Sequence, residues 1–107
     1  MSRTLRIALF SSLTLAAAAC GNSPASIANT LVGNAASGKT VYQSDCISCH
    51  GSDGASGSAR KPVAALAQSN PEQAISVVLA GDGEMPAWSG VLTDQQIADV
   101  VAYLKTL

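Results

Sequence analysis

One short segment constrains this chain more than any other, the run Cys46-Ile47-Ser48-Cys49-His50. On a helix, residues three and four apart share a face, so the two thiols and the histidine would lie together. Cys-x-x-Cys-His is the attachment sequence for c-type haem, because two thiols at this spacing can add to the two vinyl groups on one edge of the porphyrin. We therefore predict one covalently bound haem c on Cys46 and Cys49, with His50 carried beneath the iron as an axial ligand.

Three other interpretations of the same segment fit the chain less well. A structural zinc site uses four ligands, usually in paired clusters, whereas this chain offers one Cys-x-x-Cys, one His and the remote Cys20. A thioredoxin-like redox pair needs a βαβ scaffold, and no segment here alternates convincingly over five residues. A plain disulfide between Cys46 and Cys49 would leave His50 without a role.

The first nineteen residues have the pattern of an export signal. Arg3 and Arg6 precede a largely apolar run of thirteen residues, Ile7 to Ala19, which ends in small side chains. Thirteen residues are too few for a spanning helix, which needs about 20. We therefore predict a signal peptide over residues 1–19 and a working protein of about 88 residues outside the cytoplasm, on the periplasmic side of the cell envelope.

Cys20 follows the predicted signal directly and is the third cysteine of the chain. Ordinary cleavage would leave a free exported thiol, so we expect Cys20 to be lipidated and to anchor the protein in a membrane. Ala17 stands three residues before it, where a lipidation signal usually has Leu. Residues 20–36 are uncharged and mostly small or polar, and predict a flexible tether with a reach of roughly 20–25 Å.

Residues 37–107 read as one all-α domain. A first helix is expected over Ser37–Cys49 and a second over Glu72–Ala80, with Asn70 and Pro71 at its start and Gly81 at its end. The last helix follows Thr93, with Gln96 completing a capping box. Its apolar stripe is Ile97, Val100, Val101, Leu104 and Leu107. Because most apolar residues are Ala and Val, a cofactor is expected to complete the small core.

Met85 is the one methionine left after signal removal, and there is no second histidine. It lies in the loop Gly81–Pro86, where Pro86 favours an extended backbone and the glycines permit close approach to a ring. A lone Met is otherwise a filler of core gaps. We predict Met85 as the second axial ligand. A neutral thioether favours ferrous iron, and two protein ligands leave no open site, which points to electron carriage and not to an enzyme.

These residues resemble the class I c-type cytochromes, over about Ala36 to Leu107. Gly38-Lys39-x-x-Tyr42-x-x-x-Cys46 is similar to the family's N-terminal helix, and Ala102-Tyr103-Leu104-Lys105 to its C-terminal helix. The resemblance implies a small fold in which these two helices pack around one haem. It also implies that the carbonyl of Pro62 accepts a hydrogen bond from the ligand imidazole, which would orient the ring. The lysine ring that mitochondrial members present to partners is absent.

Charge and a second motif bear on the partners. Cys20–Leu107 carries four basic and seven acidic residues with no basic run, which argues against nucleic acid. Gly33–Thr40 matches the phosphate-binding pattern G-x-x-x-x-G-K-[ST], but such a loop follows a buried strand, so we expect no nucleotide. Arg60 and Lys61 could pair with haem propionates, although solvent exposure is the simpler expectation, and Trp88 could either contact a propionate or cover the ring edge.

The sequence thus predicts a monomeric haem-c electron carrier that exchanges electrons with membrane or periplasmic redox proteins. One alternative is a haem enzyme or gas sensor in which Met85 binds the iron weakly or not at all. Another is a dedicated electron-transfer subunit of a membrane dehydrogenase or oxidase.

Overall fold

The computed structural model describes residues 24–107, which form six helices. They are α1 (Pro24–Thr30), α2 (Ala35–Asp45), α3 (Ile47–His50), α4 (Val63–Ser69), α5 (Pro71–Ala80) and α6 (Asp94–Leu104). Within these residues there is no strand, and β-type pairing is limited to two isolated bridges, Asp82 with Met85 and Ser89 with Leu92. The all-α prediction is confirmed. None of these helices is long and apolar enough to cross a membrane.

The capping residues predicted from sequence act as expected. The Asn70 side chain accepts from the backbone N–H of Gln73 at 3.1 Å, with Pro71 as the first residue of α5. Thr93 and Gln96 form the reciprocal capping box of α6. Each cap satisfies helix N–H groups that have no partner within the helix, which is why these sequences fix where the helices begin.

Two boundaries differ from the prediction. The first helix, expected to run unbroken over Ser37–Cys49, is divided at Cys46 into α2 and the one-turn α3. The apolar stripe of α6 is buried as far as Leu104, but the helix ends there, and Leu107 is exposed beyond it. A short helix, α4, occupies residues for which the sequence analysis predicted no element.

The prediction of a flexible tether over residues 20–36 is wrong for residues 24–36, the part that the structure describes. Residues 24–30 form α1, which packs on α5 and α6 and buries Ala28 completely. α2 begins at Ala35, two residues before the predicted start of the domain at residue 37. An uncharged sequence of Ala, Ser, Ile and Asn suits a linker, but its small residues also allow close helix packing. The predicted signal peptide and Cys20 lie outside the described residues.

The packing of α2 against α6 holds the two ends of the domain together. Tyr42 on α2 meets Tyr103 on α6 with ring centroids 5.4 Å apart, so both tyrosines take part in packing the two helices together. Gly38 lies so close to α6 that a Cβ there would be 1.9 Å from the carbonyl oxygen of Asp99. A side chain at position 38 would therefore have to push the two helix backbones apart. Gly33–Thr40 thus belongs to the α1–α2 junction and the first turns of α2.

A buried carboxylate fixes the loop between α1 and α2. Asp99 is 6% exposed, and its Oδ1 accepts from the backbone N–H of Asn34 at 2.7 Å and from Nε2 of Gln95 at 2.8 Å. Gln95 Nε2 also donates to the carbonyl of Val32 at 2.9 Å. Because a buried carboxylate is costly unless it is hydrogen-bonded, this network ties the loop firmly to α6.

Candidate functional site

A deep apolar cleft lies between α3, α4, α5, α6 and the loop that follows α5. Its inner part has about 520 Å³ of space not filled by atoms, with the opening to solvent included. The outer part shares five lining residues with it and is bordered by polar residues, among them Lys61, Gln73 and Glu84. The inner lining consists of Tyr42, Cys46, His50, Val63, Leu66, Ala74, Val77, Val78, Met85, Trp88, Leu92, Val100 and Leu104. This combination of apolar walls and few polar groups is typical of a cofactor site.

The Cys-x-x-Cys-His segment forms one wall of the cleft. Cys46 is half-buried and His50 half-buried, and both line the inner part, whereas the side chain of Cys49 is exposed. Neither cysteine is joined in a disulfide. The division between α2 and α3 occurs at Cys46 itself, so the motif lies across a break in the helix and not along one continuous helical face.

The residues around this wall hold it in place. The Tyr42 hydroxyl donates to the carbonyl of Gly51 at 2.6 Å, just after α3 ends. The loop that follows turns back, and the N–H of Ala59 donates to the carbonyl of Cys49 at 2.8 Å. A Cβ at Gly57 would lie 2.2 Å from that carbonyl oxygen, so a glycine is needed for the return. The glycine-rich loop of residues 51–59 thus supports the backbone of the motif.

Burial changes the acid–base properties of two groups in the wall. It raises the pKa of the Cys46 thiol to about 11, with the nearby Asp45 carboxylate adding to the effect. It lowers the pKa of His50 below its usual 6.5, which favours the neutral imidazole. Neutral imidazole is the form of histidine that binds metal ions.

Met85 lines both parts of the cleft and lies in a braced loop. Its backbone exchanges two hydrogen bonds with Asp82, at 3.0 and 3.1 Å, closing a tight turn. Further on, the N–H groups of Trp88 and Ser89 donate to the carbonyls of Val78 and Leu79 on α5, at 3.0 and 3.2 Å. The loop is therefore fixed to α5 by the residues that follow Met85 in the chain. The structure brings Cys46, His50 and Met85 to one cleft.

The role that the resemblance gave to Pro62 differs from what the structure shows. The Pro62 carbonyl accepts from the N–H of Leu66 at 3.1 Å, within the first turn of α4. Among the described residues, Nδ1 of His50 is buried and has no hydrogen-bond partner. The expected hydrogen bond from His50 to the Pro62 carbonyl is therefore absent, although that oxygen has a second lone pair beside the one that Leu66 uses.

The other residues singled out at the rim have mixed outcomes. Lys61 and Arg60 are exposed, and Lys61 Nζ lies 3.8 Å from Asp82 Oδ2 across the outer cleft. Trp88 is half-buried and lines the inner cleft, and its contact with a propionate stays a prediction.

Sequence reasoning missed the far walls of the cleft. Val63 and Leu66 come from α4, and Val77 and Val78 come from the second half of α5. The sequence does contain a signal for α4, since Leu66 and Ala67 lie three and four residues after Val63, the spacing of one helical face.

Comparison with known proteins identifies the family. A family model described as cytochrome c oxidase, cbb3-type, subunit III matches residues 33–104. The chain belongs to the c-type cytochrome family. Cytochrome c6 of Thermostichus vulcanus is 37% identical over 105 residues, covering 94% of this chain and 82% of that protein. Cytochrome c-555 of Prosthecochloris aestuarii is 42% identical over 82 residues, covering 64% of this chain and 83% of that protein.

A third relative comes from a larger protein. The gluconate 2-dehydrogenase cytochrome c subunit of Pantoea cypripedii is 34% identical over 84 residues, which is 64% of this chain and 19% of that subunit. No solved structure matches significantly. The resemblance to c-type cytochromes is thus confirmed, and with it a haem-c electron carrier with the family's covalently attached haem.

The cleft suits such a group on its own evidence. Its inner walls are almost wholly apolar, and a thiol, an imidazole and a thioether all border it. Burial also favours the neutral imidazole of His50, which is the form that binds a metal ion. The residues present therefore fit a covalently held haem.

Proposed function

We propose that this protein carries one electron at a time through a haem held by Cys46 and Cys49 and ligated by His50 and Met85. The observation that carries this proposal is that Cys46, His50 and Met85 border one apolar cleft although Met85 is thirty-five residues beyond His50. When bound, the haem supplies an iron that alternates between the ferric and ferrous states. The chain supplies the attachment, the ligands and the apolar surroundings of that iron.

The chain's own residues perform three tasks at this site. Cys46 and Cys49 fix the group covalently, which suits a domain too small to enclose it by packing alone. Burial keeps His50 neutral, so that its imidazole is available as a ligand. Val77, Val78 and Leu104 exclude water from the inner cleft, and a thioether from Met85 favours the reduced iron.

Exposure indicates where electrons would enter and leave. The Cys49 side chain is exposed, whereas Cys46 is half-buried in the cleft wall. The thioether edge of the haem would therefore come nearest to solvent at Cys49. We place electron exchange with redox partners at this edge.

Location and partners complete the proposal. The export signal at residues 1–19 and the lipidation of Cys20 would place the protein on the periplasmic side of the envelope, held at a membrane. Its partners would be membrane or periplasmic redox proteins, and the carrier would act as a monomer.

The experiment is redox potentiometry of the exported holoprotein and three variants. Met85→His should lower the reduction potential by ~0.1 V or more, because His/His ligation favours ferric iron within the ~0.8 V range that axial ligands cover. Met85→Ala should open a coordination position. Val91→Ala is the matched control, since Val91 is exposed and does not line the cleft, and it should leave the potential unchanged. Equal potentials for the wild type and Met85→His would contradict ligation by Met85.

A second candidate, a dedicated subunit of a larger redox enzyme, is favoured by two of the comparisons. The matching family model is described as an oxidase subunit, and one relative is a dehydrogenase cytochrome c subunit. Mild solubilisation of membranes separates the two functions. A free carrier elutes alone at its own size, whereas a subunit copurifies with a dehydrogenase or oxidase in fixed ratio.

A further inference from the structure

α1 and the loop after it carry exposed apolar side chains for which the electron carrier has no use. Among residues 24–107, four large hydrophobic side chains are exposed, and Ile27 and Val32 are two of them. Val32 is 90% exposed, although Gln95 holds its carbonyl and Asp99 holds the N–H of Asn34 two residues later. These hydrogen bonds hold the backbone on both sides of the Val32 side chain, so the exposure of that side chain is a feature of the folded loop.

This segment is also free of charge. From Pro24 to Gly38 the chain contains no Asp, Glu, Lys, Arg or His, and Lys39 is the first ionisable side chain. A surface that pairs with a charged protein partner would be expected to carry charges of its own. An uncharged segment with displayed aliphatic side chains can bury apolar area at the boundary between head groups and acyl chains without moving a charge out of water.

The helix lies close to Cys20 along the chain. Pro24 is four positions after Cys20, and four residue steps span at most about 14 Å even when fully extended. The sixteen-residue tether expected from the sequence would have let the domain move freely above a membrane. With α1 packed on α5 and α6, that freedom is lost, and acyl chains on Cys20 would hold α1 at the membrane surface.

The haem cleft is on the other side of the same two helices. In α6, Ala98, Val101 and Ala102 border a shallow groove beside α1, whereas Val100 and Leu104 border the cleft. In α5, Glu72 and Ile75 border that groove, whereas Ala74, Val77 and Val78 border the cleft. The α5–α6 layer therefore separates α1 from the cleft.

We propose that α1 and the α1–α2 loop form a membrane-contacting face, with Ile27 and Val32 in the lipid interface and the haem cleft directed away from the bilayer. This inference rests on the lipidation of Cys20 in the proposed function. In this arrangement the lipid anchor orients the domain on the membrane as well as attaching it. A partner would then reach the cleft from the aqueous side, through a domain that projects from the membrane or is dissolved beside it.

The test measures the accessibility of introduced thiols in the full exported holoprotein. Val32→Cys is the probe and Val91→Cys, at a valine 69% exposed on the loop after Trp88, is the matched control. Acylation of Cys20 and haem attachment at Cys46 and Cys49 would leave the introduced thiol as the reactive one. Each protein is added to preformed phosphatidylcholine–phosphatidylglycerol vesicles and labelled with a charged, membrane-impermeant maleimide. The same variants in a Cys20→Ser background give the reference rates.

The expected result is labelling at position 32 at least about fivefold slower on vesicles than in the Cys20→Ser background, with position 91 unchanged. Equal rates at position 32 for acylated, vesicle-bound protein would overturn the orientation and leave the anchor intact. Slowing at both positions, or slowing at position 32 without vesicles because a second copy or another protein covers it, would also overturn it. Mass spectrometry that finds no acyl chains on Cys20 would remove the anchor itself and this inference with it.

Discussion

The substitution Gly38→Ala tests the contact that joins the two ends of the domain. Its Cβ would lie 1.9 Å from the Asp99 carbonyl oxygen, 2.4 Å from the Asp99 carbonyl carbon and 2.9 Å from the Val100 nitrogen. All three are backbone atoms of α6, so no side chain can rotate away. To reach the 3.4 Å of an ordinary contact, α2 and α6 must separate locally by about 1.5 Å.

The magnitude follows from two opposing effects. Overpacking costs typically about 1–3 kcal/mol, and the upper end applies where backbone meets backbone. Replacing a glycine inside a helix by alanine returns about 1 kcal/mol, because alanine is the better helix former. The net expectation is a loss of about 2 kcal/mol, which in a domain of this size lowers the melting temperature by roughly 8–16 °C.

Thermal unfolding followed by far-ultraviolet circular dichroism measures this loss. Gly90→Ala is the control, since Gly90 has positive φ but open space around it, and strain alone should cost about 1 kcal/mol there. Because Tyr42 on α2 and Cys46 directly after α2 both follow Gly38, the separation should also reduce the yield of haem-loaded protein. A Gly38→Ala protein as stable as the wild type, or more stable, would refute the close packing of α2 on α6.

Three further changes test other contacts. Asp99→Ala leaves the N–H of Asn34 without its buried acceptor and should lower the free energy of unfolding by about 2 kcal/mol in urea titrations, whereas an unchanged midpoint would contradict the network. Lys61→Ala should cost less than about 0.5 kcal/mol by the same measurement, because its pair with Asp82 is 68% and 63% exposed, and a larger loss would show that the pair closes the cleft. Burial, with the Cys46 thiol adding, raises the pKa of Tyr42 from 10.0 to about 12. The neutral phenol is therefore favoured in the folded state, and this contribution is complete below pH 10 and lost as the pH rises to 12. Unfolding of Tyr42→Phe should lack that alkaline loss, and parallel pH profiles for the two proteins would contradict it.

Local signals predicted part of this fold well and non-local packing explains the rest. Asn70, Thr93 and Gln96 act through hydrogen bonds to residues three positions away, so a single stretch of sequence contains the whole interaction. α1 is different, because a seven-residue helix is marginal alone and depends on burying Ala28 against helices more than forty residues away. No local pattern distinguishes it from a linker.

The candidate site divides in the same way. The attachment residues and the Met85 ligand can be predicted from sequence because residue type and spacing within short segments are enough to suggest them. The apolar walls from α4 and α5 cannot, since Val63, Val77 and Val78 acquire their role only when distant helices meet. The hydrogen bond expected between Pro62 and His50 is absent, and it too depends on how two segments twelve residues apart meet in space.

The most direct test of the His50–Met85 carrier is the absorption spectrum of the exported holoprotein in the ferric and ferrous states, with and without carbon monoxide. The proposed ligation predicts sharp low-spin ferrous bands, a weak far-red ferric band from the iron–sulfur bond, and no change on adding carbon monoxide, because both axial positions are filled. A high-spin iron or a ferrous form that binds carbon monoxide readily would contradict Met85 as a firm ligand and favour a haem enzyme or gas sensor.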